Sequence, residues 1–195
     1  YLFIFLGFII SKNKKRDTVP LSLMIYGLLF TTLLLSYHSL EKDSKKIFQP
    51  AYTYIEYVFF TFFIWSNLVN KRFKQLVLIF SVLFFVFQIF YFFESKLIRL
   101  YSVPVGIETI LLFIYIVFFF YEFSKKIRTF YIYNHYCFWI AVGILVYLGG
   151  SFFFYLSINE LNPQEVDTFG KLTYLAEIIK NILFAISLFI FSKNP

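Results

Sequence analysis

Charged residues, glycine and cysteine are all scarce in this sequence. Of its 195 residues only 15% are charged and 60% are hydrophobic, whereas ordinary globular chains are about 25% charged and about 45–50% apolar. The chain has 7 Gly, 5 Pro and 1 Cys. Because Cys137 stands alone, it has no partner for an internal disulfide and no CxxC companion, so the sequence indicates neither thiol redox chemistry nor a thiolate metal site.

Aromatic residues are the type that the sequence has in excess, since 31 Phe, 16 Tyr and 2 Trp make up 25% of it. A water-soluble fold of this size would leave a large apolar surface exposed. Runs of about 20 mostly apolar residues are long enough to cross the hydrocarbon core as helices. The runs lack the alternation of apolar and polar residues that transmembrane strands show. The sequence therefore predicts an all-α, polytopic transmembrane helix bundle.

The apolar runs divide the chain into seven predicted spans. The first of them is predicted to be truncated, because the chain opens at Tyr1 inside an apolar run. The connections are short and polar, so a single transmembrane domain over residues 1–195 is expected. The predicted spans are 1–11, 20–38, 52–69, 75–93, 103–121, 136–157 and 172–191.

The net charge of +7 arises from 18 Lys and Arg against 11 Asp and Glu. The basic residues stand in short clusters between apolar runs, a pattern typical of cytoplasmic loops beside anionic lipid rather than of nucleic-acid binding. The first, third and fifth connections are more basic than the second, fourth and sixth, which predicts an N-terminus outside and a C-terminus inside. The basic residues of those odd connections are Lys12, Lys14, Lys15, Arg16, Lys71, Arg72, Lys74, Lys125, Lys126 and Arg128.

Three predicted helices carry a glutamate near their outer end, namely Glu56, Glu108 and Glu177. Pro50 and Pro104 precede the first two, as expected where a loop enters a helix. Charged side chains inside membrane segments usually face the bundle interior or a wet cavity, so the sequence predicts a shared, outward-facing polar pocket. Two explanations of this recurring glutamate stay open. One is a threefold repeat of a single helical hairpin, and the other is the preference of acidic residues for helix N-termini.

The last span adds Lys180 and Asn181. Lys180 lies near the middle of its span, too far from either end to snorkel easily. It follows Glu177 by three residues, a spacing that brings helical side chains together, and Glu56 or Glu108 are its other candidate partners. We predict that these five residues bind a ligand or an ion. The alternative is a Glu177–Lys180 pair that only fixes helix packing.

No catalytic signature is found, since GxSxG and HExxH are missing. His38 and His135 fall at opposite ends of the predicted bundle, so a joint metal site is not expected, and no cofactor is predicted. A retinal Schiff base on Lys180 is disfavoured because the Trp- and Pro-bearing motifs of such photoreceptors are missing.

Three functional interpretations therefore stay open. One is a sensor-like or accessory membrane domain that binds a small ligand from outside. Another is a small proton- or cation-coupled transporter, in which the glutamates and the lysine form the coupling site. The third is a purely structural membrane scaffold. An enzyme is not expected.

Three short patches accompany a composition rich in Phe, Ile, Tyr, Lys and Asn. One helix opens as Tyr-Ile-Glu-Tyr at residues 54–57, and Phe-Trp-Ile at residues 138–140 precedes the pair Gly149-Gly150. With these features most of the chain resembles the uncharacterised multi-pass inner-membrane proteins common in the Bacteroidota. The resemblance implies a location in a bacterial inner membrane and brings no activity with it.

Overall fold

The fold, given by a computed structural model, is all-helical over residues 1–10, 18–39, 42–94, 102–126, 132–157 and 160–193, which are the residues that the structure describes. This part of the chain contains seven α-helices, one 3-10 turn and no strand, which confirms the predicted all-α class. The helices are α1 (Leu2–Ile10), α2 (Thr18–Ser39), α3 (Lys42–Asn67), α4 (Lys71–Glu94), α5 (Ser102–Lys126), α6 (Tyr136–Ser157) and α7 (Pro163–Lys193).

Part of the evidence for the predicted topology falls outside the described residues. The basic cluster at 12–16 and the basic residues Lys96 and Arg99 lie there, and so does Arg128. The orientation of the termini across a membrane stays a prediction.

Four helices, within the described ranges, are long and apolar enough to cross a membrane. They are Lys71–Tyr91 in α4, Val103–Lys125 in α5, Tyr136–Ser157 in α6 and Gln164–Lys193 in α7. A shorter apolar helical stretch, Pro20–Ser36, lies in α2. Helix α4 also exposes a large part of its apolar surface, which a lipid environment accommodates and water does not. Its exposed side chains include Leu78, Ile79, Val82, Leu83, Val86, Ile89 and Phe90.

Two helices begin well before the apolar runs from which they were predicted. Helix α3 begins at Lys42 and α7 at Pro163, whereas the spans predicted from hydropathy begin at residues 52 and 172. Hydropathy detects only the apolar part of a helix, and both helices extend it with polar turns. Pro50 therefore lies inside α3 rather than ahead of it, although a proline there removes one helical hydrogen bond.

The N-terminus of α7 is fixed by a reciprocal capping box. The backbone N–H of Glu165 donates to the Asn162 side-chain oxygen at 2.9 Å, and the backbone N–H of Asn162 donates to the Glu165 carboxylate at 2.9 Å. Pro163 occupies the first helical position, where its missing N–H costs nothing. This Asn-Pro-x-Glu pattern explains why α7 begins there.

The described contacts group into two compact units. The first comprises Tyr1–Tyr52, Thr129–Tyr147 and Tyr174–Pro195. Within it α1 packs on α2. A Cβ atom added at Gly7 would lie 3.2 Å from the Ala185 backbone, so α1 and α7 approach closely there.

The second unit comprises Thr53–Arg128 and Leu148–Thr173. Within it α4 packs on α5, and the rings of Phe73 and Phe118 stack with their centroids 4.6 Å apart. Its interior side chains are mainly aromatic and branched. They include Tyr57, Phe60, Ile64, Phe84, Leu112, Tyr115, Ile116 and Phe119.

Candidate functional site

The side chain of Lys180 is completely buried, with 0% exposure. Its helical neighbours Ala176 and Phe184 are buried too; they lie four residues to either side and so share its face of α7. An ammonium group on this apolar face is costly unless it finds partners. The apolar pattern of α7 therefore carries Lys180 into the interior of the first unit.

Two tyrosines contact the Lys180 ammonium group. Its Nζ donates a hydrogen bond of 2.8 Å to the hydroxyl of Tyr26 in α2. The same Nζ lies 3.8 Å from the ring centroid of Tyr147 in α6, which is a cation–π geometry. Tyr26 is positioned by aromatic contacts with Phe30 at 4.4 Å and Phe184 at 5.9 Å. Lys180 thus sits in an aromatic cage made by α2 and α6.

The carboxylate of Glu177 belongs to the same unit and has a hydroxyl donor. The Tyr1 hydroxyl donates to Glu177 at 2.5 Å and lies 3.3 Å from the Tyr52 hydroxyl. The ring of Tyr1 also lies 6.0 Å from that of Tyr26. Tyrosine hydroxyls therefore contact both charged groups of this part of α7.

Asn181, beside Lys180, is only 3% exposed. Among the described residues its side-chain oxygen has no hydrogen-bond partner, and the same holds for the hydroxyl of Ser187, which is fully buried on the same helix. A buried polar atom without a partner costs about 1–3 kcal/mol. The Asn181 oxygen is thus an acceptor that a bound molecule can satisfy.

Glu56 and Glu108 belong to the second unit, where both are buried, at 6% and 5% exposure. Their carboxyl groups are close enough for their charges to interact. Carboxyl oxygens are the kind of donors that bind a proton or a hard cation. Within the described residues, no group of three or more His, Cys, Asp or Glu is placed to hold a metal ion.

A second polar cluster in that unit joins three hydroxyl groups. The Tyr57 hydroxyl lies 2.8 Å from that of Ser81 and 3.3 Å from that of Tyr115. The Tyr115 hydroxyl also donates to the Val77 carbonyl at 3.3 Å. Because α3, α4 and α5 each supply a hydroxyl, this cluster ties the three helices together.

The sequence-predicted site residues thus fall into two groups. Glu177, Lys180 and Asn181 lie in the first unit, and Glu56 and Glu108 lie near each other in the second. The prediction that all five line one pocket stays a prediction.

Sequence analysis missed the tyrosines that contact the charged groups. It used the aromatic residues only as evidence for a membrane fold, although Tyr26 and Tyr147 stand in the middle of their helices. A tyrosine at that depth needs a partner for its hydroxyl, and this was the available signal.

No protein-family model, curated protein or solved structure matches the chain. The class of protein to which the chain belongs is therefore inferred from its own helices. Four described helices have the length and hydropathy of membrane spans, and apolar side chains cover much of their surface. The chain is an all-helical integral membrane protein.

Proposed function

We propose that the chain is a multi-pass protein of a bacterial inner membrane, with its C-terminus in the cytoplasm. The excess of Lys and Arg in the odd connections supports this orientation. Lys71, Arg72 and Lys74 at the start of α4 would then face the anionic lipid of the cytoplasmic leaflet. The composition of the chain supports the bacterial location by resemblance.

Within that membrane the protein acts as a sensor-like or accessory domain that binds a small polar ligand. The observation that carries this proposal is the buried Lys180 ammonium group, which Tyr26 and Tyr147 contact. The next residue of α7, Asn181, has a buried side-chain oxygen without a partner among the described residues. Lys180 supplies a positive charge, and Asn181 supplies a hydrogen-bond acceptor. Together they suit a small molecule that carries both a carboxylate and a donor group, such as an amino acid.

The physical cost of the site argues against a purely structural scaffold. A charged side chain at the centre of a membrane helix costs about 2.5–3.5 kcal/mol by insertion measurements, and packing alone would be served as well by an apolar residue. Intramembrane ionisable residues are therefore functional residues by default.

Ligand-dependent thermal unfolding tests this proposal. The purified protein is melted with a panel of α-amino acids and small carboxylic acids, next to the variants Lys180→Met and Lys171→Met. A ligand at 100 times its Kd stabilises the folded state by about 2.7 kcal/mol, so at least one compound is expected to raise the Tm of the parent protein by several degrees. Lys180→Met is expected to lose this response.

Lys171→Met is the matched control for that experiment. Lys171 lies on the same helix, is exposed, and pairs with Asp167 one turn away at 2.5 Å. This variant is expected to keep the full response to the ligand. The ligand site would be contradicted if no compound in the panel stabilised the parent protein, or if Lys180→Met responded equally. The interpretation as a structural membrane scaffold would then be favoured.

A small proton- or cation-coupled transporter is the second candidate, and the Glu56–Glu108 pair favours it. Buried carboxyl groups in one compact unit can each take up a proton and release it when their surroundings change. The chain has no proline or glycine break near the middle of α5, where many transporters interrupt the helix at their binding site. We therefore rank this function below the ligand-binding domain.

A further inference from the structure

A groove of about 350 Å³ runs between α3 and α4 in the second unit. Its walls include Val58, Phe62 and Trp65 from α3 and Leu78 and Val82 from α4. Val58, Leu78 and Val82 are about half exposed, so the groove is reachable from the membrane side of these helices.

The wall of the groove is almost wholly apolar. Tyr57 and Ser81 line its floor, but their hydroxyls are directed toward each other and toward Tyr115. The hydroxyl of Thr61 is buried as well. A polar head group would find few hydrogen-bond partners here. A hydrocarbon chain would only exchange the apolar surroundings of the lipid for those of the groove.

One end of the groove is basic. Trp65 lines this end, and the Nζ of Lys74 lies 4.7 Å above its ring. Lys71 and Arg72 stand at the start of α4, in the same first turn as Lys74. A tryptophan beside lysines is typical of the head-group level of a bilayer.

The acidic side chain of Glu122, at this end of the groove, is already engaged. Glu122 accepts hydrogen bonds from the backbone N–H groups of Val69 and Asn70, at 2.6 and 2.9 Å. Its negative charge stabilises the N-terminus of α4. The three basic residues Lys71, Arg72 and Lys74 still outnumber this one carboxylate.

The groove and the lysine at its basic end together match the depth of one leaflet. From Lys74 to Phe85, the last residue of α4 that lines it, the helix rises about 16 Å at about 1.5 Å per residue. Half of the hydrocarbon core measures about 15 Å. An acyl chain laid along the groove would thus reach the bilayer centre with its phosphate at the level of Lys74.

We infer that this groove is a binding site for one anionic glycerophospholipid, with an acyl chain along α3 and α4 and the phosphate beside Lys71, Arg72 and Lys74. The apolar wall has room for the acyl chain, and the basic end favours an anionic head group. The inference is independent of the ligand proposed for Lys180, because it uses neither that residue nor its unit.

Native mass spectrometry of the detergent-purified protein tests this site. The probes are phosphatidylglycerol and phosphatidylcholine with identical acyl chains. The parent protein is expected to bind one phosphatidylglycerol about fivefold more tightly for each basic residue engaged, with the preference shrinking as salt is raised. Lys74→Gln is expected to lower that preference about fivefold. Lys171→Gln, which removes an exposed lysine elsewhere, is expected to leave it unchanged.

A second pair of variants separates the groove from the charge. Val82→Trp fills the groove and is expected to weaken the binding of both lipids at least fivefold. If this variant folds poorly, the smaller Val82→Phe is expected to weaken their binding in the same direction. Val86→Trp places the same side chain on an exposed valine of α4 that does not line the groove, and is expected to bind as the parent does. Equal affinity of the parent for both lipids, or unchanged binding after Val82→Trp and Val82→Phe, would overturn the inference.

Discussion

Replacing Tyr26 with alanine is expected to lower the free energy of unfolding by about 3–5 kcal/mol, the range typical of a buried aromatic residue cut to alanine. The variant removes the hydroxyl that accepts the Lys180 hydrogen bond. It also removes the ring that packs on Phe30 and Phe184. An ammonium group left with fewer partners in a buried place adds to the loss of packing. Chemical unfolding in mixed micelles measures the change.

Two comparisons make that result specific. Tyr26→Phe keeps the ring and removes only the hydroxyl, so it is expected to cost about 1–3 kcal/mol. Tyr174→Ala removes an exposed tyrosine of α7 in the same unit and is expected to stay within about 0.5 kcal/mol of the parent. If Tyr26→Ala cost no more than Tyr174→Ala, the aromatic cage around Lys180 would carry no stability.

The second large effect is expected at Tyr115, whose side chain is fully buried in α5. Tyr115→Ala is expected to lower the free energy of unfolding by about 3–5 kcal/mol, because it opens a cavity and breaks the hydroxyl cluster with Tyr57 and Ser81. Val117→Ala, an exposed position two residues later on the same helix, is expected to change it by less than about 0.5 kcal/mol.

A double-mutant cycle tests whether the hydroxyl cluster acts as a unit. Tyr57→Phe and Tyr115→Phe each leave a partner hydroxyl with one contact fewer. The double variant removes both groups together and is therefore expected to cost less than the sum, with a coupling of about 0.5–3 kcal/mol. Strict additivity within about 0.3 kcal/mol would show that the two hydroxyls stabilise the unit independently.

The helical class could be predicted because the membrane demands it. Long apolar runs such as that of α4 can satisfy their backbone groups in lipid only as helices, so composition and run length were enough. The starts of α3 and α7 could not be found in this way, because polar turns continue both helices beyond the apolar core. The capping residues Asn162 and Glu165 were the local signal for α7.

The site was predictable only in part, and for a physical reason. A lysine near the middle of an apolar helix must turn inward, and Lys180 is fully buried. Its partners depend on how distant helices pack, which hydropathy does not encode. The contacts that Lys180 makes include the hydroxyl of Tyr26 and the ring of Tyr147, which the sequence did not suggest.

The most direct test of the central claim, that Lys180 serves binding rather than stability, is the free energy of unfolding of Lys180→Met. Methionine fills a similar volume and does not bear the desolvation cost of a buried charge. We therefore expect a variant that is at least as stable as the parent in mixed-micelle unfolding. A loss of about 3 kcal/mol or more would show that Lys180 holds the helices together, and would contradict the account.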